Sequence, residues 1–255
     1  MQTLCHFVPD LALAPRRVPV NLSATYMTRY LITGANRGLG LEFVRQLLVR
    51  GDSVVACCRE PASAKALQEL AGEAGDRLIL RELDVTDPAA IDELPEGLPA
   101  VDVPINNAGV AAPEERFGEF DAGTMARVLF VNSIAPMLVT QAMTYVIEKA
   151  RNPKIVCITS GLGSISRAEG LSFGLSYGMS KAALNMGVKK LAAEMKRRGI
   201  ALITMHPGWV QTDMGGKNAT LRPEESIRGM LEVIDKMTTA DNGRYLTYEG
   251  EELPW

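Results

Sequence analysis

Short apolar runs alternate with longer amphipathic stretches along most of the chain. The apolar runs have the length and residue content of buried strands, and they lie at Arg29–Thr33, Ser53–Cys57, Leu78–Leu83, Val101–Asn106, Lys154–Thr159, Ile200–His206 and, weakly, Arg244–Thr247. The stretches between them have helical periodicity, and they lie at Leu39–Arg50, Pro61–Ala71, Pro88–Leu94, Ala122–Lys149, Tyr177–Arg198 and Pro223–Met237. This alternation predicts βαβ units around a parallel sheet.

One domain accounts for this pattern. The chain has 255 residues, 47% of them hydrophobic, and can bury one large core. We expect an α/β fold with a single Rossmann-type, doubly wound parallel sheet of about seven strands flanked by helices, formed by residues 27–255. Pro104 lies inside the fourth predicted strand, where its missing N–H weakens pairing, so we expect a bulge or a sheet edge there.

The first 26 residues differ from the rest. They contain Pro9, Pro15 and Pro19 and lack the apolar core and cleavage site of a secretory signal. Met27 directly precedes the first predicted strand. We expect residues 1–26 to be a disordered extension, or translation to begin at Met27.

Charge and composition narrow the class of partner. The net charge of −3, with both signs interspersed, gives no basic surface for nucleic acid. No segment reads as a membrane span. The four cysteines, Cys5, Cys57, Cys58 and Cys157, form no metal-ligand or disulfide pattern, so we expect no metal and a reducing, cytoplasmic location. A small molecule is the expected partner.

A glycine-rich turn follows the first predicted strand and opens a helix. In this context glycines allow close backbone approach to a pyrophosphate, which the helix N-terminus then stabilises. The predicted cofactor contacts here are Gly34, Asn36, Arg37, Gly38, Leu39 and Gly40. A turn that serves only strand–helix packing is the alternative.

The end of the second strand indicates which dinucleotide fits. NAD-selective sites usually have a carboxylate there, whereas Ser53–Cys58 runs into Arg59. Arg37 and Arg59 together predict a site for a 2′-phosphate, and hence NADP rather than NAD. Two solvated surface arginines are the alternative.

Two further strand ends suit a cofactor bed at the carboxyl edge of the sheet. Asp84 and Val85 end the third strand, and Asn107, Ala108 and Gly109 follow the fourth. Singly, each of these positions also fits an ordinary turn.

Tyr177 and Lys181 lie four residues apart, on one face of a predicted helix. A nearby ammonium favours the phenolate and brings the pKa of the phenol toward the working range, so the pair predicts a proton-transfer site.

Together these motifs resemble the short-chain dehydrogenase/reductase family, through TGANRGLG at 33–40, NNAG at 106–109, YGMSK at 177–181 and PGWVQTD at 207–213. SKAALNM at 180–186, HPGWVQTDMGG at 206–216 and the ending ELPW look like the C-factor-type, Sniffer-like branch. The resemblance implies that Tyr177 exchanges the substrate proton, that Lys181 lowers its pKa and holds the nicotinamide ribose, that Ser160 orients the substrate oxygen and that Asn132 anchors a proton relay. It also implies cofactor contacts at Tyr177, Lys181, Pro207, Gly208, Val210 and Thr212.

Two assignments near these motifs have alternatives: the serine that orients the substrate and the role of His206. Ser164 matches the usual family spacing to Tyr177 better than Ser160, but Ser160 ends a strand and is therefore more rigidly placed, so we prefer Ser160. His206 ends a strand and is read as a structural, hydrogen-bonded histidine.

The resemblance implies hydride transfer between NADP(H) and a carbonyl compound or secondary alcohol. We expect a mobile substrate loop at Trp209–Leu221 and apolar pocket walls from Leu162, Phe173 and Trp209. The helix from Tyr177 is apolar on more than one face, which predicts a homodimer or homotetramer; complete enclosure within its own domain has nearly equal weight. The rival function is a dinucleotide-bound signalling or redox-sensing protein that acts through a partner.

Overall fold

A computed structural model describes residues 27–112, 114–171 and 174–255. Its seven strands are β1 (Arg29–Thr33), β2 (Ser53–Cys58), β3 (Leu78–Glu82), β4 (Val103–Asn106), β5 (Lys154–Ile158), β6 (Ala201–His206) and β7 (Tyr245–Thr247). They form one parallel sheet in the order β3-β2-β1-β4-β5-β6-β7. The predicted α/β fold with a seven-strand parallel sheet is confirmed.

Helices cover both faces of this sheet. They are α1 (Gly38–Arg50), α2 (Lys65–Ala74), α3 (Pro88–Asp92), α4 (Ala122–Leu129), α5 (Ala135–Ile147), α6 (Leu175–Arg197) and α7 (Pro223–Lys236). One apolar cluster packs α1, α2 and α7 on one face, and a second packs α3, α5 and α6 on the other. Every residue of β2 and β5 is buried, because a sheet covered on both sides has no solvent face.

The helix predicted over Ala122–Lys149 is interrupted. A π-helical turn, Phe130–Ile134, separates α4 from α5 and carries Asn132 at its centre. Single π turns occur mostly inside α-helices and often at functional sites. By length and apolar composition the run Ala122–Ile147 could cross a membrane, contrary to the expectation that no segment would. Here it packs against the sheet through α5.

Pro104 does not produce the predicted bulge or edge. Its pairing with β1 is continuous, Leu31 lying opposite Pro104. Registered pairing with β5 begins one residue later, at Ile105 opposite Val156. The missing N–H therefore shortens the ladder with β5 only.

The remaining boundaries differ locally. Pro61–Ser63 is a 3₁₀ turn, so α2 begins at Lys65. Cys57 and Cys58 are buried core residues, and burial raises the pKa of the Cys57 thiol to about 12. Residues 1–26, with Cys5, and Phe173 lie outside the described residues.

Candidate active site

The glycine loop after β1 lies against the loop after β4, where the strand order reverses. Gly34 has φ +66, and a Cβ atom there would lie 2.9 Å from Ala108 Cα. A Cβ on Gly40 would overlap the carbonyl oxygen of Gly34. Such a switch point, at the carboxyl ends of parallel strands, is where open α/β sheets bind ligands.

Thr33 and Asn107 fasten these two loops together. The Thr33 Oγ1 accepts the N–H groups of Asn107 and Ala108, both at 3.0 Å. The Asn107 side-chain amide donates to Thr33 O at 2.9 Å and to Gly34 O at 3.3 Å. The side chain of Asn107 therefore shapes the cofactor bed by bonding to protein backbone.

The N-terminus of α1 faces this crevice without a side-chain cap. Arg37 precedes Gly38 in extended backbone, it makes no capping hydrogen bond among the described residues, and the first turn contains no acid. Leu39 packs partly against the core, whereas Asn36 is exposed. The first N–H groups of an uncapped helix favour an anion.

The segment after β6 closes over the loop. Thr212 Cγ2 lies 3.7 Å from the position of a Cβ on Gly38. Gly208 has φ +86, and a Cβ there would lie 2.8 Å from Leu221. Val210 forms a β-bridge with Leu221, and Pro207 O accepts the Ser226 hydroxyl at 2.6 Å.

The predicted phosphate-binding arginines are both exposed. Arg37 forms an ion pair with Asp213 at 3.0 Å, with exposed side-chain fractions of 68% and 80%. Burial alone would raise the pKa of Asp84, but hydrogen bonds from Thr86 and the positive charges of Arg59 and Arg127 lower it. Arg59 therefore lies near the end of β3, where Val85 packs against the core.

Ser160, Tyr177 and Lys181 converge at the end of β5. The Ser160 side chain lies close enough to the Tyr177 hydroxyl to lower the pKa of the phenol. Lys181 Nζ lies 5.7 Å from the centroid of the Tyr177 ring and donates to Ile158 O at 2.9 Å. The structure thus brings the predicted proton-transfer residues together.

The pKa of Tyr177 does not shift in the predicted direction, which was downward under the charge of Lys181. Burial raises the pKa of Tyr177, and the nearby Ser160 side chain only partly offsets this. Burial also lowers the pKa of Lys181 to about 8. Tyr177 is therefore a neutral phenol at pH 7, a proton donor rather than a ready base.

Asn132 is fully buried in the π turn and bonds to protein on all sides. Its Oδ1 accepts Val110 N–H at 2.8 Å, and its Nδ2 donates to Val110 O at 2.8 Å and Ser180 Oγ at 3.0 Å. A Cβ on Gly109 would lie 3.3 Å from Asn132 Oδ1 and 3.8 Å from Lys181 Nζ. Gly109 therefore keeps open the space between Asn132 and Lys181.

Ser164 and His206 have other surroundings. Ser164 Oγ is buried and donates to Pro254 O at 2.7 Å. His206 was predicted to be hydrogen-bonded in place, but its buried Nδ1 has no partner in the described part of the chain. Burial, with the Arg167 charge, lowers the pKa of His206 to about 4, so it is neutral at pH 7.

The loop predicted to bind substrate is tied at its base. Gln211 N donates to Leu221 O at 2.9 Å, and Leu221 N donates to Trp209 O at 3.0 Å. The Trp209 indole N–H donates to Gly215 O at 2.8 Å. Leu162, Trp209 and Met214 remain 43%, 49% and 51% exposed, so the site's loops carry accessible apolar side chains.

The model of the short chain dehydrogenase family matches residues 28–222. The chain belongs to this family. Its predicted membership is confirmed, and the chain is an oxidoreductase of the short-chain dehydrogenase/reductase type.

Three similar proteins place it further within the short-chain dehydrogenases. C-signal of Myxococcus xanthus is 42% identical over 156 residues, 61% of this chain and 93% of that protein. The NADPH-bound carbonyl reductase from chicken fatty liver has a TM-score of 0.83 at 36% identity, over 90% of this chain and 99% of that one. Carbonyl reductase Sniffer of D. melanogaster has a TM-score of 0.82 at 30% identity, over 90% of this chain and all of that one. The predicted C-factor-type, Sniffer-like branch is confirmed.

Sequence reasoning missed several residues that build this short-chain dehydrogenase site. Thr33 fastens the cofactor bed, and Asn185 accepts the Thr159 hydroxyl at 2.8 Å. Glu115 bonds to the first turn of α6. The available signal was weak: Asn185 lies two helical turns from Tyr177, and Glu115 is one of two adjacent acids in a loop.

Proposed function

We propose that this enzyme uses NADPH to reduce a carbonyl compound with apolar substituents to an alcohol. The observation that carries the proposal is the convergence of Ser160, Tyr177 and buried Lys181 at the end of β5, with the glycine loop at the neighbouring strand end.

The residues present fit a dinucleotide phosphate. The bed near Gly34, Gly40 and Gly109 is one that Cβ atoms would fill, and the uncapped α1 N-terminus suits a pyrophosphate. Arg37 and Arg59 offer two cations for a 2′-phosphate. Bound there, NADPH supplies the hydride for the substrate carbonyl carbon.

The chain's own residues orient the substrate and supply its proton. Ser160 Oγ can donate to the same carbonyl oxygen that receives the proton of Tyr177. Because burial keeps Tyr177 neutral, its O–H is available when negative charge develops on that oxygen. The ammonium of Lys181 then stabilises the resulting phenolate. A neutral phenol is the protonation state that carbonyl reduction requires of the proton donor.

The substrate class is inferred from the exposed side chains on the loops around the site. Leu162, Trp209 and Met214 are large apolar side chains on the loops after β5 and β6, and their exposure leaves apolar surface for a ligand to cover. The carbonyl reductase neighbours support this assignment over the signalling alternative.

The test is oxidation of NADPH by the purified protein with a panel of aldehydes, ketones and quinones. Tyr177→Phe should abolish turnover and retain NADPH binding. Tyr145→Phe makes the same change at an exposed position on α5 and should leave turnover intact. NADPH binding without turnover for any substrate would instead favour a signalling protein, and absence of binding would reject both readings.

A further inference from the structure

The backbone hydrogen bonds within the loop that carries Ser160 are short-range, each joining residues three apart. It forms two 3₁₀ turns, Gly161–Gly163 and Ile165–Arg167, and two of its residues are glycines. Ser160 is the N-cap of the first turn, with Oγ accepting Leu162 N–H at 3.2 Å. The direction of the Ser160 hydroxyl therefore depends on what holds this loop.

On one side the loop is held by α6. Asn185 Nδ2 donates to Gly163 O at 3.2 Å, and a Cβ on Gly163 would lie 2.9 Å from the main-chain carbon of Lys181. This contact sets the distance between the loop and the helix that carries Tyr177. The contact with α6 does not reach the side of the loop that carries Ser164 and Ser166.

On that opposite side lies the segment Leu253–Trp255. Ser164 Oγ donates to Pro254 O at 2.7 Å and lies 3.3 Å from Trp255 O, and Ser166 N–H donates to Trp255 O at 3.1 Å. Leu253 N–H donates to Tyr245 O at 2.8 Å, which anchors the segment to β7.

The same segment reaches Ser160 itself through one aromatic residue. The Tyr245 hydroxyl donates to Ser160 O. The Tyr245 ring stacks on Trp255 with centroids 5.3 Å apart and planes inclined by 30°, and Lys189 Nζ lies 5.2 Å over the Trp255 ring. Trp255 thus fixes the tyrosine that holds the Ser160 backbone.

We propose that Leu253–Trp255 is a positioning element of the active site: Trp255 and Tyr245, with Ser164, hold the Ser160 loop so that its hydroxyl meets Tyr177 and the substrate carbonyl. Trp255, Tyr245 and Ser164 act through Ser160 and do not themselves touch the reacting atoms. The inference rests on the proposed reductase function. A displacement of the order of 1 Å at a catalytic group costs up to about 100-fold in rate, so loosening this support should reduce turnover specifically.

The main test replaces Trp255 in the full chain. Trp255→Ala should lower kcat for carbonyl reduction by about tenfold or more, while the NADPH Kd, measured by cofactor fluorescence, changes by no more than about twofold. Trp255→Phe keeps an aromatic ring against Tyr245 and should restore most of kcat. Tyr145→Ala, which removes an exposed aromatic ring from α5, is the matched control and should retain kcat.

Two further measurements keep the outcomes distinct. Tyr245→Phe removes the hydroxyl that donates to Ser160 O and should lower kcat with unchanged NADPH Kd. If Trp255→Ala does not fold, Ser164→Ala should show the same split, with a loss of about three- to tenfold. Wild-type kcat in Trp255→Ala, or a loss of kcat matched by an equal loss of NADPH affinity, would overturn the positioning role. The proposed function would stand in those cases, because it is tested separately by NADPH binding and turnover of the wild-type and Tyr177→Phe proteins.

Discussion

The carboxylate of Glu115 accepts two hydrogen bonds from Ser176, one from its N–H at 2.9 Å and one from its hydroxyl. Ser176 is the second residue of α6 and immediately precedes Tyr177. A carboxylate at a helix N-terminus satisfies an unpaired N–H group and interacts favourably with the helix dipole. The loop after β4 therefore caps the helix that presents Tyr177.

Removing this cap should affect both stability and turnover. Glu115→Ala is expected to lower the free energy of unfolding by about 1 kcal/mol and kcat by several-fold, because the first turn of α6 loses an acceptor. Thermal unfolding and steady-state kinetics measure the two effects. Glu114→Ala removes an adjacent carboxylate whose side chain is 78% exposed and should change neither. Equal melting temperatures for the two variants would contradict the capping role.

The exposed arginines should determine the choice between NADPH and NADH. Charge-assisted hydrogen bonds contribute about 1.5 to 3 kcal/mol each, so Arg37→Ala and Arg59→Ala should each weaken NADPH binding by about 10- to 100-fold. NADH binding should be unaffected, because NADH has no 2′-phosphate. Arg45→Ala removes a positive charge from α1 elsewhere and is the control. Similar losses for both cofactors would show that the arginines have another role.

Asp213 should weaken NADPH binding, because it competes with the 2′-phosphate for Arg37. The Arg37–Asp213 ion pair occupies the guanidinium that a 2′-phosphate would bind. Asp213→Asn removes that competition and should tighten NADPH binding by a few-fold, the range expected for an exposed pair. Titration of cofactor fluorescence at low and high salt measures it, since added salt should reduce the difference between variant and wild type. Weaker binding by the variant would contradict the competition.

Gly40 and Gly72 offer a matched comparison of one added methyl group. A Cβ on Gly40 would overlap Gly34 O and lie 2.7 Å from Asn107 Nδ2, so Gly40→Ala should destabilise the fold by about 1 to 3 kcal/mol and disrupt NADPH binding. A Cβ on Gly72, within α2, would meet nothing within 4 Å. Gly72→Ala should stabilise by about 0.5 to 1 kcal/mol with normal NADPH binding. Calorimetry and cofactor titration check both, and tight NADPH binding by Gly40→Ala would contradict the close-approach argument.

Sequence reasoning located the strand ends well because local pattern determines them. The glycine loop, Asn107 and Ser160 each follow a buried apolar run, and the parallel sheet brings all three to one edge. The Tyr177–Lys181 spacing likewise needs only helical geometry. These predictions depend on residues close together in the chain.

Contacts between distant segments could not be predicted in this way. Glu115 and Ser176 are 61 residues apart, and Ser164 and Pro254 are 90 apart, so their meeting depends on the paths of loops rather than on periodicity. The π turn around Asn132 was also missed, because one widened turn barely changes the spacing of apolar residues. Pro104 was misjudged because its effect depends on which neighbouring strand its missing N–H would face.

Lys181 should make stability depend on pH in a defined direction. Its pKa is about 8 in the fold, because burial disfavours the ammonium, against an ordinary value of 10.5. Below pH 8 Lys181 is protonated in both the folded and the unfolded state, and the buried ammonium lowers the free energy of unfolding. Between about pH 8 and 10.5 the folded state releases the proton while the unfolded state retains it, so this group adds stability as pH rises.

The Lys181→Met variant lacks the buried charge and should therefore melt a few degrees above wild type at pH 7, with the difference shrinking toward pH 10. Lys190→Met, at an exposed position on the same helix, should show no such pH-dependent difference. Thermal melts of the three proteins from pH 6 to 10 measure this, and a difference between Lys181→Met and wild type that stays constant with pH would show that burial does not shift the pKa of Lys181.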